Sequence, residues 1–273
     1  MDWAKAKTIF IIVFLLLNIF LFGTILYTNS DLRFQSDYTR YARQYLESRN
    51  ITIDSRIKNK TGEVGNLIYI AKRFNFSQLT RLVFGHDVSP IKENEAVVYQ
   101  EQDEKIMSMA DTLYIRDKLS DGIDIFQDSK AFSNKVYKIL NEAGYSRANL
   151  QLEAQGESRD TKWMNFILKF KNGLLFNQVI TASIDNEGFI TLTLPAREVT
   201  GISDTKEEIL SAYQVLVMGN LPEGSHIKSV DFGYIQASEG ELYDSPVWRI
   251  LFINGETSFF NAYNGEKLQE NWS

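Results

Sequence analysis

The residues that could do chemistry are few. The chain has no cysteine and two histidines, His86 and His226, neither of which lies in a catalytic or metal-binding motif. Thiol catalysis and cysteine-bound zinc are therefore excluded, and no zinc-protease, phosphate-loop or dinucleotide-binding motif occurs. Ser158 lies in Gly-Glu-Ser-Arg-Asp, which lacks the second glycine of a nucleophile elbow, so we interpret this stretch as a hairpin loop. We expect no enzyme, no catalytic residue and no cofactor.

Four aspartates stand close together at Asp117, Asp121, Asp124 and Asp128. A hard cation such as calcium takes about six to eight oxygen ligands, and the spacing here fits no EF-hand loop. Two interpretations stay open, a cation site and a solvated acidic linker, and we favour the linker. No metal is expected.

The longest apolar stretch runs from Thr8 to Tyr27 and contains no charged residue. As a helix it would cover roughly the 30 Å of a bilayer's hydrocarbon core. Lys5 and Lys7 precede it, so the amino terminus is expected in the cytoplasm and the body outside. The stretch is longer than a signal-peptide core and no small-residue cleavage site follows, so an anchor is favoured over a cleaved signal. Without cysteine, a lipoprotein is excluded.

One side of this predicted membrane helix carries a polar residue. Asn18 lies on a stripe with four apolar residues, and this stripe is the predicted partner-binding face: Ile11, Phe14, Asn18, Leu21 and Ile25. A carboxamide in lipid gains by bonding to a neighbouring helix, although it can also bond to its own backbone. Both interpretations stay open.

Composition describes an ordinary folded body. Hydrophobic residues make up 44% of the chain and charged residues 23%, which is typical of globular proteins. The net charge of −6 argues against a nucleic-acid partner, since such partners need clustered Lys and Arg, and no cluster is visible in the sequence. With no disulfides available, burial of apolar side chains must hold the fold.

Periodicity predicts an α+β protein: one amino-terminal transmembrane helix followed by two extracytoplasmic domains of antiparallel sheets with packed helices. The predicted regions are residues 1–7 in the cytoplasm, the span 8–27, a membrane-proximal domain 28–128 and a distal domain 129–273. In the first domain we predict a helix over 31–50 with Phe34, Tyr38, Tyr41, Tyr45 and Leu46 on one face, a strand pair over 51–71, a helix over 76–84 and a meander over 95–116.

In the second domain a helix followed by strands occurs twice. The first copy has a helix over 129–144 and strands over 148–154, 163–170, 178–184 and 190–194. The second has a helix over 204–218, predicted from an Asp204-x-x-Glu207 capping box, and strands over 227–236, 247–253 and 258–262. We interpret this order as a duplication. Trp163 and Trp248 are predicted to be core residues rather than sugar platforms.

The opening sequence MDWAKAKTIFIIVF, followed by Asn18-Ile19-Phe20, resembles the start of the YycI (WalI) family of low-GC Gram-positive bacteria. Residues 246–250 and 260–266 also resemble the closing hairpin of PepSY-type, YycH-like domains. The YycI resemblance implies an accessory membrane protein that, with YycH, contacts the essential sensor histidine kinase WalK (YycG) through transmembrane helices and thereby controls cell-wall metabolism. It supplies no catalytic motif.

Function is therefore expected to rest on binding. The favoured hypothesis is a non-catalytic regulator of the sensor kinase of a two-component system in the cell membrane. The alternative is an anchored extracytoplasmic binding module for a cell-wall polymer or peptide, and an anchored hydrolase is the least favoured. Whether the kinase is activated or inhibited does not follow from the residues.

Overall fold

The computed structural model describes residues 3–28, 30–58, 60–119, 128–236 and 243–268. Over those residues the chain forms five α-helices and fourteen β-strands. The helices are α1 (Trp3–Thr28), α2 (Ser30–Ser48), α3 (Phe76–Val83), α4 (Ser129–Glu142) and α5 (Ala212–Met218). The strands are β1 (Thr52–Ile53), β2 (Gly62–Ala71), β3 (Ile91–Glu93), β4 (Ala96–Glu101), β5 (Glu104–Ser108), β6 (Thr112–Lys118), β7 (Leu150–Glu157), β8 (Thr161–Phe170), β9 (Gly173–Asp185), β10 (Phe189–Pro195), β11 (Arg197–Ile209), β12 (His226–Ile235), β13 (Tyr243–Phe252) and β14 (Thr257–Asn261).

The strands form one large mixed sheet, which confirms the α+β class. Its main path runs β11-β2-β13-β12-β9-β10-β6-β5-β4-β3, and β1, β14, β7 and β8 pair beside it. Most neighbours are antiparallel, but β12 runs parallel to β9 and to β1. The prediction of purely antiparallel sheets is therefore wrong.

Most local predictions are confirmed. The helix over 76–84 is α3, the meander is β4, β5 and β6, and the helix over 129–144 is α4. Asn75 caps α3 and Asp128 caps α4 through their side-chain oxygens, and Gly85 and Gly144 follow the two helices with φ of +81° and +79°. These are positions where a short polar side chain or a glycine is favoured.

The predicted strand pair over 51–71 is wrong. β1 has only two residues and pairs with β12, while β2 pairs with β11 and β13. The residues between β1 and β2 leave the sheet and return elsewhere along it. Local β-propensity cannot specify the partner of a strand, because pairing is decided by the packing of distant segments.

The predicted helix over 204–218 is also wrong in its first half. Residues 197–209 form β11, which pairs with β2 and is interrupted by two bulges, the second lying between Ile202 and Lys206. The helix α5 starts at Ala212, and its capping box is formed by Ser211 and Gln214 rather than by Asp204 and Glu207. Residues 204–208 are exposed, and Lys206 to Ile209 pair with β2, so strand pairing rather than burial outweighs the helical capping signal.

The core is a continuous apolar cluster that draws on helices and sheet. It includes Leu46 of α2, Leu79 of α3, Ile139 of α4, Leu216 of α5 and Trp248 of β13, all at most 1% exposed. Strands from both predicted domains share the sheet, since β6 pairs with β10 along its whole length. The predicted boundary lies mostly on residues 120–127, outside the described residues, and the division at residue 128 stays a prediction, as does the duplication.

Candidate functional site

The predicted partner-binding stripe lies on α1. Phe14 is 68% exposed and Leu21 49% exposed, and Ile11 is exposed as well, while the side chain of Ile25 lies outside the described residues. All the side chains that the structure describes between Phe10 and Thr24 are exposed. α1 is thus an unpartnered apolar helix over the part of it that is described.

The Asn18 side chain bonds to its own helix. Its Nδ2 donates a hydrogen bond of 2.8 Å to the carbonyl oxygen of Phe14, one turn earlier. Thr24 does the same towards Phe20, with its Oγ1 donating at 2.8 Å. Backbone bonding of this kind lowers the cost of a polar side chain in an apolar setting. The Asn18 amide still carries a second N–H and an acceptor oxygen.

In the part of the chain that the structure describes, no helix is both long and apolar enough to cross a membrane.

The helix α2 joins this amino-terminal segment to the body. Ala42 and Leu46 are buried at 0% and 1% exposure, and α2 contacts α5. Arg43 Nε donates to the Tyr213 hydroxyl at 2.8 Å, and Arg49 Nη2 donates to the Leu221 carbonyl at 2.9 Å. The buried stripe therefore differs from the predicted one: it includes Leu46 and half-buried Tyr45, whereas Tyr41 is 62% exposed and Tyr38 36%. The side chain of Phe34 lies outside the described residues.

The four aspartates do not form a described cation site. The Asp117 side chain is 2% exposed and its carboxylate lies 2.8 Å from Lys135 Nζ. Burial raises the pKa of Asp117, and the hydrogen bond and charge of Lys135 oppose that rise. Asp128 caps α4, and Asp121 and Asp124 lie outside the described residues. In the described part of the chain no group of three His, Asp or Glu is placed to hold a metal.

The remaining candidates for chemistry have structural surroundings. His86 lies 3.0 Å from Glu101, and His226 lies 2.9 Å from Thr52 on the paired strand β1. Ser158 Oγ donates to the Thr161 carbonyl at 3.2 Å, so the hairpin-loop interpretation is confirmed. The Thr52–His226 contact lies on the exposed surface where β1 pairs with β12, and neither His86 nor Ser158 has a hydroxyl–imidazole contact among the described residues.

The two tryptophans differ from each other. Trp248 is fully buried and donates from Nε1 to the Leu210 carbonyl at 2.8 Å, which confirms it as a core residue. Trp163 is 37% exposed and its ring covers Gly156 on β7, where an added Cβ would lie 2.6 Å from the ring. The core prediction is therefore wrong for Trp163.

Sequence reasoning missed one charged feature, a basic cleft at one end of the sheet. Five cationic side chains line a cavity of about 840 Å³, and we call them the cleft cations: Arg56, Lys58, Lys60, Lys169 and Lys171. The expectation that no Lys/Arg cluster exists is wrong. In the sequence these cations occur in two short runs, each with a cation at every second residue. The two runs are more than a hundred residues apart, and only the sheet brings them together.

The sequence matches the family described as YycI protein over residues 29–263. The chain belongs to the YycI family. The matched residues run from the junction of α1 and α2 to the residues after β14, so the resemblance first noticed in the opening residues is confirmed by a different part of the chain. YycI membership indicates a regulatory accessory role in the WalK (YycG) system. The hairpin of β13 and β14 is confirmed as a hairpin, and its likeness to PepSY-type domains stays a prediction.

Two solved structures are similar to this YycI-family chain at low identity. An uncharacterized protein from Eubacterium rectale is 12% identical with a TM-score of 0.49, over 81% of this chain and 91% of that one. The YpeB C-terminal domain from Bacillus megaterium is 12% identical with a TM-score of 0.41, over 84% and 95%. No curated protein matches the chain. The functional conclusion therefore rests on membership of the YycI family.

Proposed function

We propose that this YycI-family chain is a non-catalytic accessory membrane protein that binds and modulates the sensor histidine kinase WalK (YycG) together with YycH. The observation that carries the proposal is the family match, which extends over residues 29–263. The described residues add no group of three His, Asp or Glu that would hold a catalytic metal. Binding energy is then the means of regulation.

The proposed topology places α1 across the cell membrane with the amino terminus in the cytoplasm and the body outside. Support comes from the sequence: Thr8–Tyr27 is uncharged and Lys5 and Lys7 precede it. The exposure of Phe14 and its neighbours is what a lipid-facing or partner-facing helix requires. Ile11, Phe14, Asn18, Leu21 and Ile25 form the proposed contact with the kinase helices.

The mechanism follows from population shift. A helix beside the kinase changes the activity of the kinase only if it packs differently against the kinase's active and inactive states. A difference of a few kcal/mol in packing free energy is sufficient. The contact between α2 and α5 supports this mechanism, because α2 starts two residues after α1 ends and is held to the body by Leu46, Arg43 and Arg49. Contacts made by the body could therefore bias the packing of α1.

Copurification of the intact chain from membranes tests the proposal. We expect WalK and YycH to be enriched with the tagged full-length chain, and absent with a tagged unrelated single-pass protein expressed at the same level. Absence of both partners under mild detergent, with the chain itself intact, would contradict it.

A second function, an extracytoplasmic binding module for a wall polymer or peptide, is favoured by one observation, the basic cleft on the body. Saturable binding of a ligand by the full-length chain would support it whether or not the kinase copurifies.

A further inference from the structure

The basic cleft is built from four separate parts of the chain. Its walls are described residues between β1 and β2, Gln151 of β7, the end of β8 with the turn into β9, and the middle of β12. The turn is tight: Lys171 has a φ of +52°, and the next glycine, Gly173, lies against the Tyr234 ring, where an added Cβ would come within 2.7 Å. Lys169 and Lys171, which flank this turn, line the same cavity as Arg56, Lys58 and Lys60.

The floor of the cleft is apolar. Leu174, Val230 and Phe232 line it and are each less than a tenth exposed. Lys60 Nζ lies 3.8 Å from the centroid of the Phe232 ring, so its ammonium group is held over an apolar surface rather than extended into water. Charges above such a floor interact more strongly than they would in bulk water.

The only carboxylate that lines the described cavity is already engaged. Asp231 Oδ2 lies 2.8 Å from Arg249 Nη2 and accepts a 2.9 Å hydrogen bond from Ser229 Oγ. Arg249 is in turn paired with Glu153 at 2.5 Å. Asp231 is thus held by Arg249 and Ser229, and the group Asp231–Arg249–Glu153 keeps a net charge of −1 against the five cleft cations.

The cleft cations lack counterions in the described structure. Among the described residues none of the five forms an ion pair within 4.0 Å. Five like charges around one cavity repel one another in a chain whose net charge is −6. Burial lowers the pKa of Lys60 and the nearby charge of Lys171 lowers it further, which is the direction that crowding of cations produces. An anion in the cavity would relieve this repulsion.

We infer that this cleft is a binding site for a multiply charged phosphate anion. Four of the five cleft cations are lysines, whose ammonium groups bind phosphate as point charges, and Arg56 adds a guanidinium that can bind a phosphate through two hydrogen bonds. The number of cations favours a ligand with more than one phosphate charge. A free oligophosphate and a phosphodiester, such as a polymer unit or a lipid headgroup, share this chemistry. The inference goes beyond the proposed contact with the kinase and does not depend on it.

Calorimetric titration of the full-length chain in an uncharged detergent tests the inference. The probes are tripolyphosphate, inorganic phosphate, glycerophosphoglycerol and triglutamate. We expect tripolyphosphate to bind more tightly than inorganic phosphate or triglutamate, and its affinity to fall as salt is added. Binding of glycerophosphoglycerol as well would identify a diester source, and its failure to bind would identify a free oligophosphate.

The variants locate the site. Lys60→Gln with Lys171→Gln should weaken tripolyphosphate binding at least about tenfold, since each charge-assisted hydrogen bond accounts for about a tenfold change. Lys60→Arg with Lys171→Arg keeps the charges and should retain most of the affinity. The matched control, Lys92→Gln with Lys130→Gln, removes two exposed lysines elsewhere and should change the affinity less than about twofold.

Three results would overturn the inference: no binding of any phosphate probe, tighter binding of triglutamate than of tripolyphosphate, or equal weakening by the cleft and control variants. Thermal unfolding of each variant shows whether it is folded, and if the glutamine variant unfolds, Lys58→Gln with Lys169→Gln removes two other cleft cations and takes its place. Copurification of WalK is measured separately, so failure of phosphate binding and failure of the kinase contact are distinguishable.

Discussion

At the scale of single residues, the Asp117–Lys135 pair shows how a buried charge is compensated in this protein. Asp117 is almost inaccessible, and Lys135, the cation at 2.8 Å, is a quarter exposed. Burying an unpaired carboxylate costs several kcal/mol, whereas a paired one is tolerated. The pair joins β6 to α4 across the predicted acidic linker, so an aspartate that the sequence suggested for a solvated loop is a structural residue.

Lys135→Met should destabilise the protein by about 3 kcal/mol at neutral pH, because it leaves the Asp117 carboxylate buried without its cation. The loss should shrink as the pH is lowered. Burial already raises the pKa of Asp117 in the folded protein, and the pKa rises further without Lys135. At acid pH the carboxyl is protonated in both the folded and the unfolded protein, so it costs no stability. Stability is lost as the pH rises through the folded pKa, because a buried carboxylate must then carry its charge. Urea unfolding at several pH values measures this.

The matched variants for this prediction are Lys130→Met and Lys135→Met with Asp117→Asn. Lys130 is exposed on the same helix and is not among the charges that shift the pKa of Asp117, so its loss should cost less than about 0.5 kcal/mol. The double variant buries a neutral amide and should recover most of the stability at neutral pH. A loss in Lys135→Met that is the same at all pH values would show that Asp117 is not the cause.

Asn18 is a second residue whose surroundings change the expectation. Since its amide already donates to the Phe14 carbonyl, packing along the stripe, rather than the amide, should carry helix association. Asn18→Leu should therefore change association with WalK in membranes less than about threefold, by a cost below 0.6 kcal/mol, whereas Phe14→Ala should weaken it several-fold.

Energy transfer between labelled full-length partners in membranes measures both. Phe20→Ala removes the same side chain from the part of α1 that faces away from the stripe and is the control. Equal loss in Phe14→Ala and Phe20→Ala would contradict the stripe as the contact face.

At the scale of elements, α2 is the part of the chain that ties α1 to the sheet. Leu46→Ala should cost about 3 kcal/mol of stability, because it opens a cavity where α2 packs against the core. Tyr41→Ala, on the exposed side of the same helix, should cost less than about 1 kcal/mol. Denaturant unfolding followed by tryptophan fluorescence measures both, since Trp248 is buried beside α5. Similar costs for the two variants would show that α2 is not held as described.

The elements also show what local sequence could predict. Amphipathic spacing and capping residues identified α3, α4 and the β4–β6 meander, because those signals are local and nothing competes with them. The stretch from Asp204 to Ile209 has a helical capping pattern, yet it continues β11, since pairing with β2 satisfies its backbone. The true capping box, Ser211 to Gln214, lies seven residues further on and was within the same predicted helix.

At the scale of the whole molecule, the arrangement of the sheet was beyond local patterns. The pairing of β12 with both β9 and β1 joins segments that are far apart in sequence. This pairing brings the cleft cations of the two segments together around one cavity. Cations at every second residue of two distant segments give no indication in the sequence that the segments lie close together in the fold. A chain that is acidic overall therefore carries a basic site that its net charge does not suggest.

The central claim is that α1 recognises the kinase as well as anchoring the chain. The most direct test replaces residues 8–27 with an unrelated single-pass helix in an otherwise intact chain and measures association with WalK and kinase output in cells. The reciprocal chimera fuses residues 1–28 to an unrelated extracytoplasmic domain. Both must reach the membrane at the level and in the orientation of the original chain. We predict that the first chimera loses association and kinase control and that the second retains association. Full association and control in the first chimera, with none in the second, would contradict the account and place recognition in the body.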